Sequence, residues 1–177
     1  MTKEGIWSAD HVRLQRGGTL KQARIVWKTY GTLSPRRDNV ILYPTSYGAH
    51  HTDIEWLVNV EHCLDPSRYF IVIPNMFTNG LSSSPSNTSG DFPEVTTYDN
   101  VMLQRQMLVE LFGIDRLKLV YGWSMGAQQA YHWGALFGDA VERIVVNCGS
   151  AKTAPHNFVF LEGIRTTLEA AATPQQG

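Results

Sequence analysis

Four short apolar runs, each bounded by turn residues, constrain the fold of this chain more than any other feature. They are NVILYP (39–44), YFIVIP (69–74), LKLVYG (117–122) and RIVVNCG (143–149). A continuous apolar run of this length, rich in Val and Ile, suits a strand buried on both faces. Between the runs lie helical periodicities at Ile54–Leu64, at Tyr98–Phe112, where Val101, Leu108, Leu111 and Phe112 favour one face, and at Met125–Phe137. Buried strands alternating with helices require a mostly parallel sheet with helices on both faces. Ahead of them, HVRLQRGGTLKQARIVWKTYG (11–31) has two alternating stretches around Gly17-Gly18, which predicts an antiparallel hairpin. The chain is read as one α/β domain over residues 1–177.

Composition narrows the function classes. With 43% hydrophobic residues among 177, the chain can build one real core. Fifteen Lys and Arg offset sixteen Asp and Glu, and no basic cluster exceeds Arg36-Arg37, so nothing marks a nucleic-acid or anionic-membrane surface. No apolar stretch approaches the ~20 residues of a membrane span, and MTKEGIWSADH does not resemble a signal peptide. A cytoplasmic protein acting on a small molecule is the expectation. Cys63 and Cys148 allow neither a disulfide framework nor a zinc spacing, and are read as buried thiols. His50, His51 and Asp53 lack a further spaced ligand, so no metal site is expected.

The chemistry is concentrated in KLVYGWSMGAQQAYHWGALF (118–137). Gly122-Trp123-Ser124-Met125-Gly126 fits G-x-S-x-G, directly after a buried strand and directly before a helix, as a nucleophile elbow requires. Gly122 and Gly126 remove side chains that would clash in so tight a turn. The elbow makes Ser124 the candidate nucleophile and aims the Met125 N–H at the oxyanion that forms on attack. A Gly-flanked serine can instead be a plain helix N-cap. The second oxyanion donor should come from the loop after the 39–44 strand, Tyr43-Pro44-Thr45-Ser46-Tyr47-Gly48; Pro44 has no N–H, so Thr45 is the candidate by position, unless this is an ordinary Pro and Gly turn. The segment TNGLSSSPSNTSGDFP (78–93) is a long polar loop, read either as a floppy surface excursion or as a ligand-binding loop at the carboxyl edge of the sheet; it holds no phosphate-cradling P-loop motif.

From about Leu20, through KTYGTL, ILYPTSYGAHH, LDPSRYFIVIPNMFTNGLSSSPSN and the elbow, to NCGSAKTAPHNFVFLEGIR, the chain resembles the homoserine O-acetyltransferase-like branch of the α/β-hydrolase superfamily. The resemblance implies an α/β-hydrolase fold and an acyltransferase with no bound cofactor. Acetyl-CoA acylates the serine, and the acyl group then passes to an alcohol. It implies Ser124 as the acylated residue, with Met125 and Thr45 as oxyanion donors. Two departures alter the pocket wall: Trp123 and Ala127 stand where the homoserine enzymes have Gly-Gly-Ser-Met-Gly-Gly, and Thr45-Ser46-Tyr47 where they have Leu-Thr-Gly. An esterase, whose acyl-serine is released by water, is the alternative in the same fold.

A serine of this kind needs a histidine and an acid, which follow it in this fold. Only fifty-three residues follow Ser124, and His132 and His156 among them are poorly placed: one inside the elbow helix, one where the family leads into its lid. The expectation is therefore a domain truncated after about the sixth strand, with residues 151–177 the start of a lid followed by an atypical tail, EAAATPQQG. Such a fragment should be weakly active or inactive by itself. A non-catalytic half-domain, pairing through the edge left by RIVVNCG with a second copy or with the missing carboxyl-terminal half, is the remaining alternative.

Overall fold

The apolar runs become the centre of a six-stranded sheet. In the computed structural model, which describes residues 1–171, the strands are β1 (Thr2–Ala9), β2 (Val12–Arg13), β3 (Thr19–Leu20), β4 (Ala23–Tyr30), β5 (Val40–Leu42), β6 (Phe70–Pro74), β7 (Leu119–Trp123) and β8 (Ile144–Asn147). The main sheet has the order β1-β4-β6-β5-β7-β8; β6, β5, β7 and β8 run parallel, while β1 and β4 join antiparallel. Every residue of β5 and β6 is buried, as expected of strands covered on both faces. The helices are α1 (His51–Ile54), α2 (Thr97–Phe112), α3 (Met125–Leu136) and α4 (Pro155–Ala170).

One face of the sheet packs against α2 and α3, through Val101, Leu103, Met107, Leu108, Ala130 and Trp133. The other buries Ile41, Tyr43, Ile71 and Ile73 beneath Ile54, Leu57, Val58 and Leu64. α4 has no buried residue, and Phe158, Phe160, Ile164 and Leu168 stand in the open. β8 is the last strand of the sheet among the described residues, with Ile144 and Val145 exposed. The expected tail lies mostly in residues 172–177, outside the described residues.

Four local features differ from the expectation. The hairpin at Gly17-Gly18 is only two residues per strand, Val12 opposite Leu20 and Arg13 opposite Thr19, whereas β4 pairs over its whole length with β1. β1 was hidden because TKEGIWSA buries a single side chain, Trp7, and otherwise reads as polar. Ile54–Leu64 is not a helix: α1 passes into a 3₁₀ turn at Glu55–Leu57, and the Asn59 side chain then takes over the backbone partners. Its amide donates to the Trp56 carbonyl and its oxygen accepts from the Glu61 N–H, a local alternative to helical bonding. With that helix gone Cys63 is exposed, as is Cys148 beyond the end of β8. On α2, Leu111 is exposed and the buried face instead contains Leu103, Gln104 and Met107.

The polar loop 78–93 is built into the fold. Ser82, Ser83 and Ser84 are buried, and the Ser82 and Ser83 hydroxyls accept from the N–H groups of Val26 and Arg24, extending the β4 ladder past the end of β6. The Ser83 N–H returns a bond to the Arg24 carbonyl. Serine serves here because one hydroxyl both accepts and donates; Ser82 Oγ donates onward to the Asn75 carbonyl.

Candidate active site

β7 ends at Trp123 and α3 begins at Met125, so one residue makes the whole strand-to-helix turn. Ser124 does so at φ 53°, ψ −119°, a region costly for a side chain, on the order of 1–3 kcal/mol. Its N–H still donates to the Asn147 carbonyl of β8 at 2.9 Å, and its carbonyl accepts from Ala127 and Gln128 of the helix. The turn requires glycine at both flanks. A Cβ on Gly122 would lie 2.2 Å from the Gly126 carbonyl oxygen, and one on Gly126 would lie 2.8 Å from that of Pro44. Gly149 belongs to the same crossing, where a Cβ would meet the Ala127 Cβ at 2.3 Å.

Ser124 occupies the N-cap position of α3 without a side-chain capping bond. Ser124 instead borders a cavity of about 610 Å³, lined chiefly by Tyr43, Tyr47, Trp56, Tyr121 and Trp123. Burial, then the neighbouring Tyr121, pushes the Tyr43 phenol up to about 12, so it stays neutral.

The loop after β5 does come to the elbow, but not as Thr45 was expected to. The Thr45 N–H donates to the Pro74 carbonyl at 3.2 Å, prolonging the β5–β6 ladder, and its hydroxyl accepts from the Met76 N–H. Its carbonyl accepts from Gln129 Nε2 at 2.9 Å. Thr45 is fully buried and its amide is spent on the sheet, so it does not take the second-donor role expected of it. One residue on, the Ser46 N–H has no acceptor among the described residues, and Ser46 lines the same cavity as Ser124. The Met125 N–H is at the elbow and donates to Ser46 Oγ at 3.1 Å.

Behind this loop, Gln104 Nε2 donates to Gln129 Oε1 and the Trp133 indole to Gln104 Oε1, all three side chains buried. Sequence periodicity did not single out Gln129, Ser46, Asn147 or Gly149. Two glutamines on apolar helix faces were the one available signal for the network.

The histidines serve elsewhere. His51 is buried and accepts from Asn75 Nδ2 at Nδ1, and His50 Nε2 meets the Asn79 carbonyl. His132 Nδ1 meets the Gln128 carbonyl within its own helix, and His156 is exposed near the start of α4. Among the described residues, no histidine or carboxylate is hydrogen-bonded to Ser124, and no three His, Cys, Asp or Glu side chains gather as a metal site. No helix among them is long and apolar enough to cross a membrane.

Comparison with known proteins agrees with this architecture. The alpha/beta hydrolase fold family matches residues 38–171. A probable esterase of Corynebacterium glutamicum is 41% identical over 92% of this chain and 49% of its own length. An ethyl acetate hydrolase of Pseudomonas veronii is 38% identical over 84% of this chain and 44% of its own. A homoserine O-acetyltransferase of Cyclobacterium marinum is 28% identical over 98% and 52%. The crystal structure of an acetylester hydrolase from C. glutamicum superposes with a TM-score of 0.90 at 39% identity, over 95% of this chain and 50% of that one. The chain thus spans about half the length of the curated relatives it matches. Strand order, a strained serine between obligatory glycines, and these likenesses place the chain in the alpha/beta hydrolase fold family.

Proposed function

We propose that this chain carries the nucleophile half of a serine esterase that hydrolyses small acyl esters, such as acetates, through an acyl-Ser124. The observation that carries the reading is the strained Ser124, which makes no side-chain capping bond and borders an aromatic cavity, with Met125 next along the chain. In acylation the Ser124 oxygen bonds to the ester carbonyl carbon, the π pair moves to the carbonyl oxygen, and the Met125 and Ser46 N–H groups receive it. The C–O bond to the alcohol then breaks and the alcohol leaves with the serine proton. Water repeats the sequence, releasing the acid and restoring Ser124. The base that carries the proton is assigned to the part of the fold that the relatives possess beyond the matched span.

Hydrolysis is favoured over transfer by the relatives and by the cavity wall. The esterases match at 41% and 38% identity, the homoserine O-acetyltransferases at 28–34%. Asp53 is the one charged residue on the wall among the described residues, and it accepts from the His50 N–H. An amino-acid acceptor brings a carboxylate that meets no cation on this wall among the described residues; a neutral ester needs none. The homoserine O-acetyltransferase reading, expected from the sequence, becomes the second one, supported by the more distant relatives.

The test supplies the protein expressed from its own gene with p-nitrophenyl acetate in one arm, and with acetyl-CoA plus homoserine in the other. Ser124-dependent release of acetate is expected to dominate. O-acetylhomoserine formed faster than acetate is released from either donor would reverse the assignment.

A further inference from the structure

We propose that the Ser46 side chain is itself an oxyanion donor, so that this site offers a hydroxyl in addition to two backbone amides. The proposal rests on the esterase reading of Ser124. The Met125 N–H, the elbow's own oxyanion donor in that reading, points at Ser46 Oγ at 3.1 Å. That hydroxyl therefore stands at the edge of the position a carbonyl oxygen would take. A serine hydroxyl has two acceptor sites and one donor. One acceptor site takes the Met125 N–H, while the Ser46 O–H has no acceptor among the described residues. The free donor lies on the same cavity as Ser124.

The pivot of this side chain is rigid. Thr45, immediately before it, is bonded through its N–H, hydroxyl and carbonyl to Pro74, Met76 and Gln129, and is fully buried. Ser46 thus turns about χ1 from a fixed backbone, which is how a preorganised donor differs from a mobile one. When the Ser124 oxygen attacks, the π pair collects on the carbonyl oxygen. The Ser46 side chain turns about χ1, so that Oγ releases the fixed Met125 N–H to that oxygen and the Ser46 O–H, which had no acceptor among the described residues, donates to it as well. Hydroxyl-to-oxyanion bonds are short and about twice as strong as neutral ones, so the hydroxyl acts on the charged species more than on the ground-state ester.

The experiment uses the protein expressed from its own gene, p-nitrophenyl acetate as substrate, and the variants S46A, S46T and S124A. S46A keeps the backbone N–H and loses only the hydroxyl; kcat is expected to fall about 10- to 100-fold, with KM within about twofold. S46T, which retains a hydroxyl, should recover most of that loss. An aryl trifluoromethyl ketone, which adds to Ser124 to give a charged hemiketal, should bind S46A more weakly by the same factor as kcat falls. Melting temperatures of the variants show whether any loss is mere misfolding, since a misfolded S46A would lose substrate and ketone affinity together. An S46A enzyme with kcat within twofold of the parent overturns the proposal, as does a loss that S46T does not recover and ketone affinity does not follow. Hydrolysis unaffected by S124A overturns the esterase reading itself, and this inference with it.

Discussion

The Ser124 N–H donates to the Asn147 carbonyl at 2.9 Å, so the residue that bends most sharply is still held in the β7–β8 ladder. Trp123 and Asn147 are the last paired residues of that ladder. The strain at φ 53° is thereby carried by a sheet that cannot relax it locally.

That anchoring sets a steep cost for filling the elbow. Gly122→Ala would drive a Cβ to 2.2 Å from the Gly126 carbonyl oxygen, a backbone atom with nowhere to go. A stability loss of about 3 kcal/mol is expected from urea denaturation. Gly17→Ala is the control, because nothing lies within 4 Å of its Cβ and only its φ of +89° opposes the change; about 1 kcal/mol is expected there. Equal losses at the two positions would show that the elbow is not tightly packed.

Ser124 has a shaped turn but no hydrogen-bonded imidazole among the described residues. The 177-residue chain by itself should therefore react with a fluorophosphonate slowly, at least about a thousandfold below a serine whose triad is complete. Mass spectrometry of the labelled chain, with Ser124→Ala as blank, checks this. Rapid stoichiometric labelling at neutral pH would mean that a base reaches Ser124 after all.

Gln129 joins α3 to the loop that presents Ser46. Gln129→Leu leaves the Thr45 carbonyl and the Gln104 amide buried without partners. The expected loss is about 2–4 kcal/mol in chemical denaturation, from two unsatisfied groups. Because the loop loses one of its three tethers at Thr45, ester hydrolysis by the protein expressed from its own gene should also fall while the fold persists. Unchanged kcat in a destabilised Gln129→Leu would separate the tether from the chemistry.

Under the opposite side of the sheet, Lys28 Nζ lies 2.7 Å from Glu55 and 2.9 Å from Glu4, and the Tyr30 hydroxyl also donates to Glu55. The Lys28 bond first, then that of Tyr30, holds the Glu55 carboxyl below its usual range, and Lys28 lowers Glu4 likewise. Carboxylates whose folded pKa is depressed add stability above the unfolded value, near 4.5, and lose it as pH falls towards the folded value. Burial pulls Lys28 down but its bonds to Glu55, Glu4 and Tyr30 outweigh that and raise it, so its share persists through neutral pH and goes only above about 10.5. The denaturation midpoint should drop from pH 5 to below pH 4, and Lys28→Met should flatten that slope. An unaltered slope in Lys28→Met would assign the acid sensitivity elsewhere.

Short apolar runs and a glycine-flanked serine are local signals, and local signals were enough to establish the parallel strands, α2, α3 and the elbow. Continuous burial needs consecutive apolar residues, and a one-residue turn needs its glycines within two positions. β1 was lost because an edge strand that buries only Trp7 has almost no pattern to read. The 54–64 helix was expected because periodicity does not register Asn59 competing for backbone partners.

The oxyanion side of the site depends on bonds that span the chain. By itself the sequence determined that Ser124 stands on a strained turn above a helix, because steric exclusion there is a matter of adjacent residues. Only the tertiary structure decided which amide of the neighbouring loop is free. Thr45 is committed to Pro74 and to Gln129, 84 residues away, and Ser46 meets Met125 across 79 residues. Hydrogen-bond competition between groups so distant is settled by packing, and no spacing along the chain encodes its outcome.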